Sequence, residues 1–246
     1  FVYFGADADE QKPFDVIYPH FPAGFIAEGT QAHPDDLEQL RTAAANLSFR
    51  SPPVSGRSPL EQRLNHSQLK LKRQVVQNLL GFPLSVLPMT VNQMSLDRAG
   101  YINNLQLRFR EDALDFSWTE GRDARFSLAV PLGLDGKYAT GHVTLSGFDF
   151  DTAGYANWES NNVLKIHIRF MQSCASRTFV LRFRGNRVKI TPRSTPSFAS
   201  IAANLNKLSY AYLNNNRLMC KVSDICFGLA PGFMEAPLRG HLKRRK

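Results

Sequence analysis

Between Trp158 and Thr191, apolar and basic residues alternate along three short segments. Leu164, Ile166, Ile168 and Phe170 fall on one side, and Lys165, His167 and Arg169 on the other. Phe179, Leu181 and Phe183 then alternate with Val180, Arg182 and Arg184, while Val188 and Ile190 sit between Arg187 and Lys189. Successive side chains of a strand point to opposite faces, so the pattern predicts three half-buried strands with one wet, positive face. Gly185-Asn186 supplies the positive φ that a two-residue hairpin turn needs.

The same reading extends from residue 84 onward, with strand-like segments near 85–96, 104–110, 113–119, 124–131, 142–150 and 152–158. Arg110-Glu111-Asp112 and Leu134-Asp135-Gly136-Lys137 are turn-like separators. Many short strands at close spacing predict an antiparallel sandwich or up-and-down barrel rather than a parallel α/β sheet. Before this region, Phe1-Val2-Tyr3-Phe4 reads as a short strand. Phe14, Ile17, Tyr18 and Phe21 recur at helical spacing until Pro19 and Pro22 cut the helix. A second helix begins at Pro34, with Asp35 and Asp36 in its first turn, where the helix dipole favours acids. Pro52-Pro53, Gly56 and Pro59 mark a linker. After residue 191 the pattern weakens. Ser200–Leu213 predicts a helix through Ile201, Leu205, Leu208 and Tyr212, stopped by Asn214-Asn215-Asn216, and 218–229 is apolar without a clean period.

Composition adds bounds. At 246 residues with 43% apolar and 11% aromatic content, the chain can build a substantial core. No apolar run of about 18 residues predicts a membrane-spanning helix. No signal peptide is visible, and the start at Phe1 without Met reads as a cut inside a longer protein. A net charge of +9 permits binding to anionic polymers or lipids. No nucleic-acid partner is expected, because Phe170, Phe179 and Phe183 lie on the face opposite the Arg and Lys residues. Cys174, Cys220 and Cys226 lack metal-ligand spacing; Cys220 and Cys226 could pair, but free thiols are the default. The six histidines form no H-x-x-x-H pair, and no phosphate-binding glycine motif occurs, so neither a metal nor a cofactor is expected. Asp149 and Asp151 read as residues of a turn.

Three blocks carry a family resemblance: Trp158-Glu159-Ser160-Asn161-Asn162-Val163-Leu164-Lys165-Ile166, then Ile168-Arg169-Phe170, then Phe179 through Val188 with Phe183-Arg184-Gly185-Asn186-Arg187-Val188. They resemble the C-terminal lipocalin-like β-domain of bacterial serine hydrolases related to β-lactamases and penicillin-binding proteins. Asn103–Phe109 followed by Leu114-Asp115-Phe116 is similar to an earlier strand pair of that domain, and Phe1–Ala6 with Phe14–Phe21 to the last strand and helix of the catalytic domain. The resemblance implies four parts: 1–47, the end of the catalytic domain and a connecting helix; 48–83, a linker; 84–191, the barrel; and 192–246, a tail of uncertain structure. The implied fold is mainly β, an antiparallel lipocalin-like up-and-down β-barrel preceded by a short strand and two helices. The implied setting is bacterial cytoplasm or cell envelope, and the implied partner is the missing catalytic domain.

Enzymes of that family use a Ser followed three residues later by Lys on a helix, with a Tyr-x-Asn motif. Ser67-Gln68-Leu69-Lys70 and Tyr155-Ala156-Asn157 match in letters. About one S-x-x-K is expected by chance in so Ser- and Lys-rich a chain, Tyr155 runs into the β-domain pattern, and no Lys-Thr-Gly or His-x-Gly strand follows. Ser67, Lys70 and Tyr155 are therefore weak catalytic candidates, and the chain reads as a non-catalytic fragment of a serine hydrolase. Two alternatives stand beside it. One is a stand-alone lipocalin-like ligand-binding module, lined by Phe109, Phe116, Trp118, Phe126 and Trp158. The other is an interaction domain that meets an anionic surface through its basic sheet face.

Overall fold

Alternating segments with one apolar face must cover that face, and here they do so by closing on themselves. The computed structural model describes residues 35, 38–39, 41–42, 51–72, 102–120, 126–145, 148–172, 176–195, 197–213 and 216–244. It divides into two compact units, Phe1–Ser51 and Pro52–Lys246. Of the first unit, Asp35, Glu38, Gln39, Arg41 and Thr42 are helical and exposed, within the second predicted helix. The predicted first strand and first helix lie outside the described residues, as does the segment 85–96.

Among the described residues the second unit holds ten strands: β1 (Ser67–Leu71), β2 (Ile102–Phe109), β3 (Ala113–Glu120), β4 (Phe126–Gly133), β5 (Ala139–Leu145), β6 (Phe148–Ser160), β7 (Val163–Phe170), β8 (Ser176–Arg184), β9 (Arg187–Thr195) and β10 (Leu238–Arg244). Their order is β4-β3-β2-β1-β10-β9-β8-β7-β6-β5, and β4 also pairs with β6. Nine strands thus form a closed barrel, with β5 outside it on β6. The fold is mainly β, a lipocalin-like up-and-down barrel whose neighbours are antiparallel except at the β4–β6 seam, where Gly133 meets Tyr155. At that seam a Cβ on Gly154 would lie 2.4 Å from Leu132 Cδ2, so a larger residue there would force the leucine side chain to shift.

The wall alternates as the sequence predicts. In β3 and β7 every second residue is buried. Leu114, Phe116, Trp118, Leu164, Ile166, Ile168 and Phe170 are at most 2% exposed and belong to one core. Gly185 takes φ +55°, and Arg184 pairs with Arg187 across the predicted two-residue turn. Two details differ. Residues 152–158 are no separate strand, because β6 runs unbroken over 13 residues. The barrel also reaches beyond 84–191: β1 comes from the stretch read as linker and β10 from the tail, and they pair with each other in full register from Ser67↔Arg244 to Leu71↔Gly240.

Helices sit at the two ends. The short α1 (Leu60–Asn65) precedes β1. Between β9 and β10 a helical hairpin is inserted, α2 (Phe198–Tyr212) and α3 (Arg217–Met234). The asparagine run that the sequence marks as a stop also starts α3, since Asn216 Oδ1 accepts from the N–H groups of Leu218 and Met219 at 3.1 and 3.3 Å. Among the described residues no helix is long and apolar enough to cross a membrane.

Candidate functional site

The catalytic candidates are not brought together. β1 is a strand, so residues three apart point to opposite faces: Ser67 is buried and Lys70 exposed. By the shorter way round the closed barrel, three strands, β2, β3 and β4, separate β1 from Tyr155 on β6. Tyr155 lies mid-strand, within the predicted strand-like segment 152–158. Its ring stands 5.4 Å from Tyr138 and 5.2 Å from His167 between centroids. Burial pushes its phenol above the ordinary value, the opposite of what a proton-accepting phenolate needs.

The candidate ligand-lining residues pack on one another. Phe109 stacks on Trp158 at 5.8 Å, Phe116 on Trp118 at 5.3 Å, and Trp158 leans on Phe183 at 6.2 Å between centroids. A void large enough for a ligand would leave its lining open to a water-sized probe, yet Phe116 and Trp118 are only 1–2% exposed and Phe109 and Trp158 7%. Phe126 begins β4, and its side chain lies outside the described residues.

One barrel end is plugged by the chain that leads into it. Glu61 of α1, 8% exposed, accepts the Trp158 indole N–H through Oε1 at 2.7 Å, and pairs through Oε2 with Arg57 at 2.7 Å. Arg57 also donates to the carbonyls of Arg110 and Glu111 at 2.7 and 2.8 Å. Ser58 donates to the Asn161 carbonyl at 2.7 Å, and Arg63 to that of Gly185 at 2.5 Å. The amide of Asn65 bridges both backbone groups of Phe109. Ser55 Oγ accepts the Trp158 backbone N–H at 3.0 Å. Residues 55–65 are therefore tied to three separate strand turns.

The opposite end buries charge. Arg177 is 2% exposed and stands 5.7 Å over Phe179 and 6.0 Å over Phe198 of α2. It donates to Ser194 Oγ and lies 4.0 Å from Glu235. Burial pulls its guanidinium down to about 10, against the opposing pull of Glu235 and Glu120. Glu120, fully buried, accepts the Trp118 indole N–H at 2.9 Å. The sequence signal for both was present. Arg177 shares parity with Phe179, and Glu120 with Trp118, so each alternation carried one step further points a charge inward.

Outside, β8, β9, β10 and β1 set their basic residues side by side. Arg184 pairs across to Arg187, Arg187 to His241 and His241 to Lys70. A second row joins Arg182, Lys189 and Arg239. All of these except Lys70 line a groove of about 870 Å³ that also takes in Lys72 and Asn162. The positive face weakens at β7, where burial and the charges of Arg169 and Lys165 push His167 down to about 4 and leave it neutral near pH 7.

Asp149 and Asp151 lie on β6 rather than in a turn, because Phe148-Asp149-Phe150-Asp151 continues the strand alternation. They face His142 on β5 at 3.3 and 3.1 Å. The Asp151 hydrogen bond, with help from Asp149, raises the His142 pKa. Among the described residues no group of three His, Cys, Asp or Glu side chains could hold a metal ion. Cys220 and Cys226 are free thiols on α3, and Cys174 lies outside the described residues. No family model matches the chain, and no curated protein matches it.

Proposed function

We propose that this chain is the non-catalytic C-terminal portion of a serine hydrolase related to β-lactamases and penicillin-binding proteins, its barrel an accessory domain that fixes the chain preceding it. The observation that carries this reading is the plug at residues 55–65. A flexible tether needs no buried contact, whereas here Glu61 and Trp158 lock the incoming chain to the barrel through charge-assisted hydrogen bonds. The locked Trp158 is the first residue of the family-like block, and the turn and strands that follow it are the same continuous run β6–β9. The separation of Ser67, Lys70 and Tyr155 fits a module without a nucleophile of its own. The test is hydrolysis of nitrocefin and p-nitrophenyl acetate by the 246-residue chain. Turnover equal to the buffer rate is expected. Turnover that Ser67→Ala abolishes would overturn the reading.

A further inference from the structure

We infer that the groove over β8, β9, β10 and β1 is a binding site for a linear acidic polysaccharide, a polymer with a carboxylate or sulfate on successive sugars. The inference goes beyond the accessory reading and does not depend on it. It rests first on the two charge rows. Like charges directly opposite on neighbouring strands destabilise a sheet, yet Arg182↔Lys189, Arg184↔Arg187 and Lys189↔Arg239 are all such pairs. None of these side chains has an acidic partner among the described residues. An arrangement that repels itself is relieved by an anion lying across it.

Spacing and surroundings select the kind of anion. Neighbouring strands lie about 4.8 Å apart, so each row steps its charge at roughly the length of one sugar ring. Arginine forks match carboxylate and sulfate oxygens two at a time. Phe183 supplies the only aromatic ring in the wall besides His241, and it is 4% exposed, so no platform for stacked bases is present. Val188, the other apolar lining residue, is 3% exposed, so among the described lining residues none offers an apolar side chain to a lipid layer or a protein hot spot. Gly240 keeps β10 close to β1, since a Cβ there would lie 2.6 Å from the Lys70 carbonyl oxygen.

The test measures binding of the full chain to polygalacturonate and heparin across a salt series, with duplex DNA and phosphatidylserine vesicles as the other arms. Saturable, salt-sensitive binding to the polysaccharides is expected. Arg182→Glu/Lys189→Glu/Arg239→Glu should weaken it at least tenfold with the fold intact by circular dichroism. A matched reversal on the helical hairpin, Lys207→Glu/Arg217→Glu/Lys221→Glu, should change it less than twofold. Equal losses in the two variants, no polysaccharide binding, or tighter binding to DNA or vesicles would each overturn the inference. Should the groove variant misfold, Arg182→Gln/Lys189→Gln applies the same criterion with a threefold loss.

Discussion

The two ends of the barrel solve the same problem in opposite ways. At the plugged end, α1 is short, and its polar groups and those of the residues leading into it bond the barrel: Glu61 to Trp158, Arg57 to the 110–111 turn, Ser58 to Asn161. At the other end, the long hairpin turns its polar groups toward itself. Ser209 bonds Ser223 at 2.7 Å, Asn206 bonds Ser223 and Asp224 at 2.6 and 2.7 Å, and Tyr210 donates to Asp224. The apolar side chains consequently face outward, with Leu218 71%, Ile225 62% and Leu229 57% exposed. The hairpin is anchored at its root, through buried Phe198 and Ala202 of α2 and through Glu235 at the end of α3, which accepts the Ser194 N–H at 2.6 Å. The difference teaches that helical content at a barrel end is no guide to what holds the barrel. Arg57, Ser58 and Arg63 each reach a different strand turn, whereas the polar groups of the two helices bond one helix to the other.

Substitutions can break that comparison, beginning with the largest effect. Trp118→Ala removes a buried ring and strips Glu120 of its indole donor, and should cost about 3–5 kcal/mol. A urea titration would read this as a lower midpoint at unchanged slope. At the plugged end, Glu61→Ala leaves the Trp158 N–H without its acceptor and should cost about 1–3 kcal/mol. The Trp158 environment would open with it, visible as a red shift in indole emission.

A smaller effect is expected from pH. His167 has a folded pKa of about 4, below its ordinary 6.5, so between those values the unfolded chain takes up a proton that the folded one refuses. Stability should therefore fall as pH drops from about 6.5 toward 4, and His167→Gln should flatten that part of the profile. The smallest change belongs to the hairpin's outer face. Ile225→Ala and Leu229→Ala should each change the unfolding free energy by no more than about 0.5 kcal/mol. Ile166→Ala in the wall should cost about 2–5 kcal/mol. Equal losses at Ile225 and Ile166 would mean that the hairpin's apolar face is buried in solution.

Much of the barrel wall was legible in the sequence because strand alternation is local. Residues 163–170, 178–184 and 187–191 could be placed inward or outward one by one, and the turn at Gly185-Asn186 follows from backbone sterics alone. What closes the barrel was not legible. β1 and β10 lie far apart in sequence, and alternation says which face a residue takes but not which strand lies beside it. Leu238, Gly240 and Leu242 alternate with Arg239, His241 and Lys243 in the tail, a strand signal that only its partner turns into a wall. The basic face was legible on β8 and β9, and its extension across β10 and β1 required that pairing. The helix over 200–213 was legible, as α2, but its facing was not: Leu205, Leu208 and Tyr212 recur at helical spacing, which normally marks the buried side, and here they mark the exposed one.

The central claim is that this latched barrel serves a catalytic unit encoded ahead of it. Sequencing the reading frame upstream of the Phe1 codon tests that claim most directly. The account predicts an in-frame S-x-x-K followed by Y-x-N within one uninterrupted coding sequence. An initiator codon next to Phe1, or an upstream chain without those motifs, would contradict it.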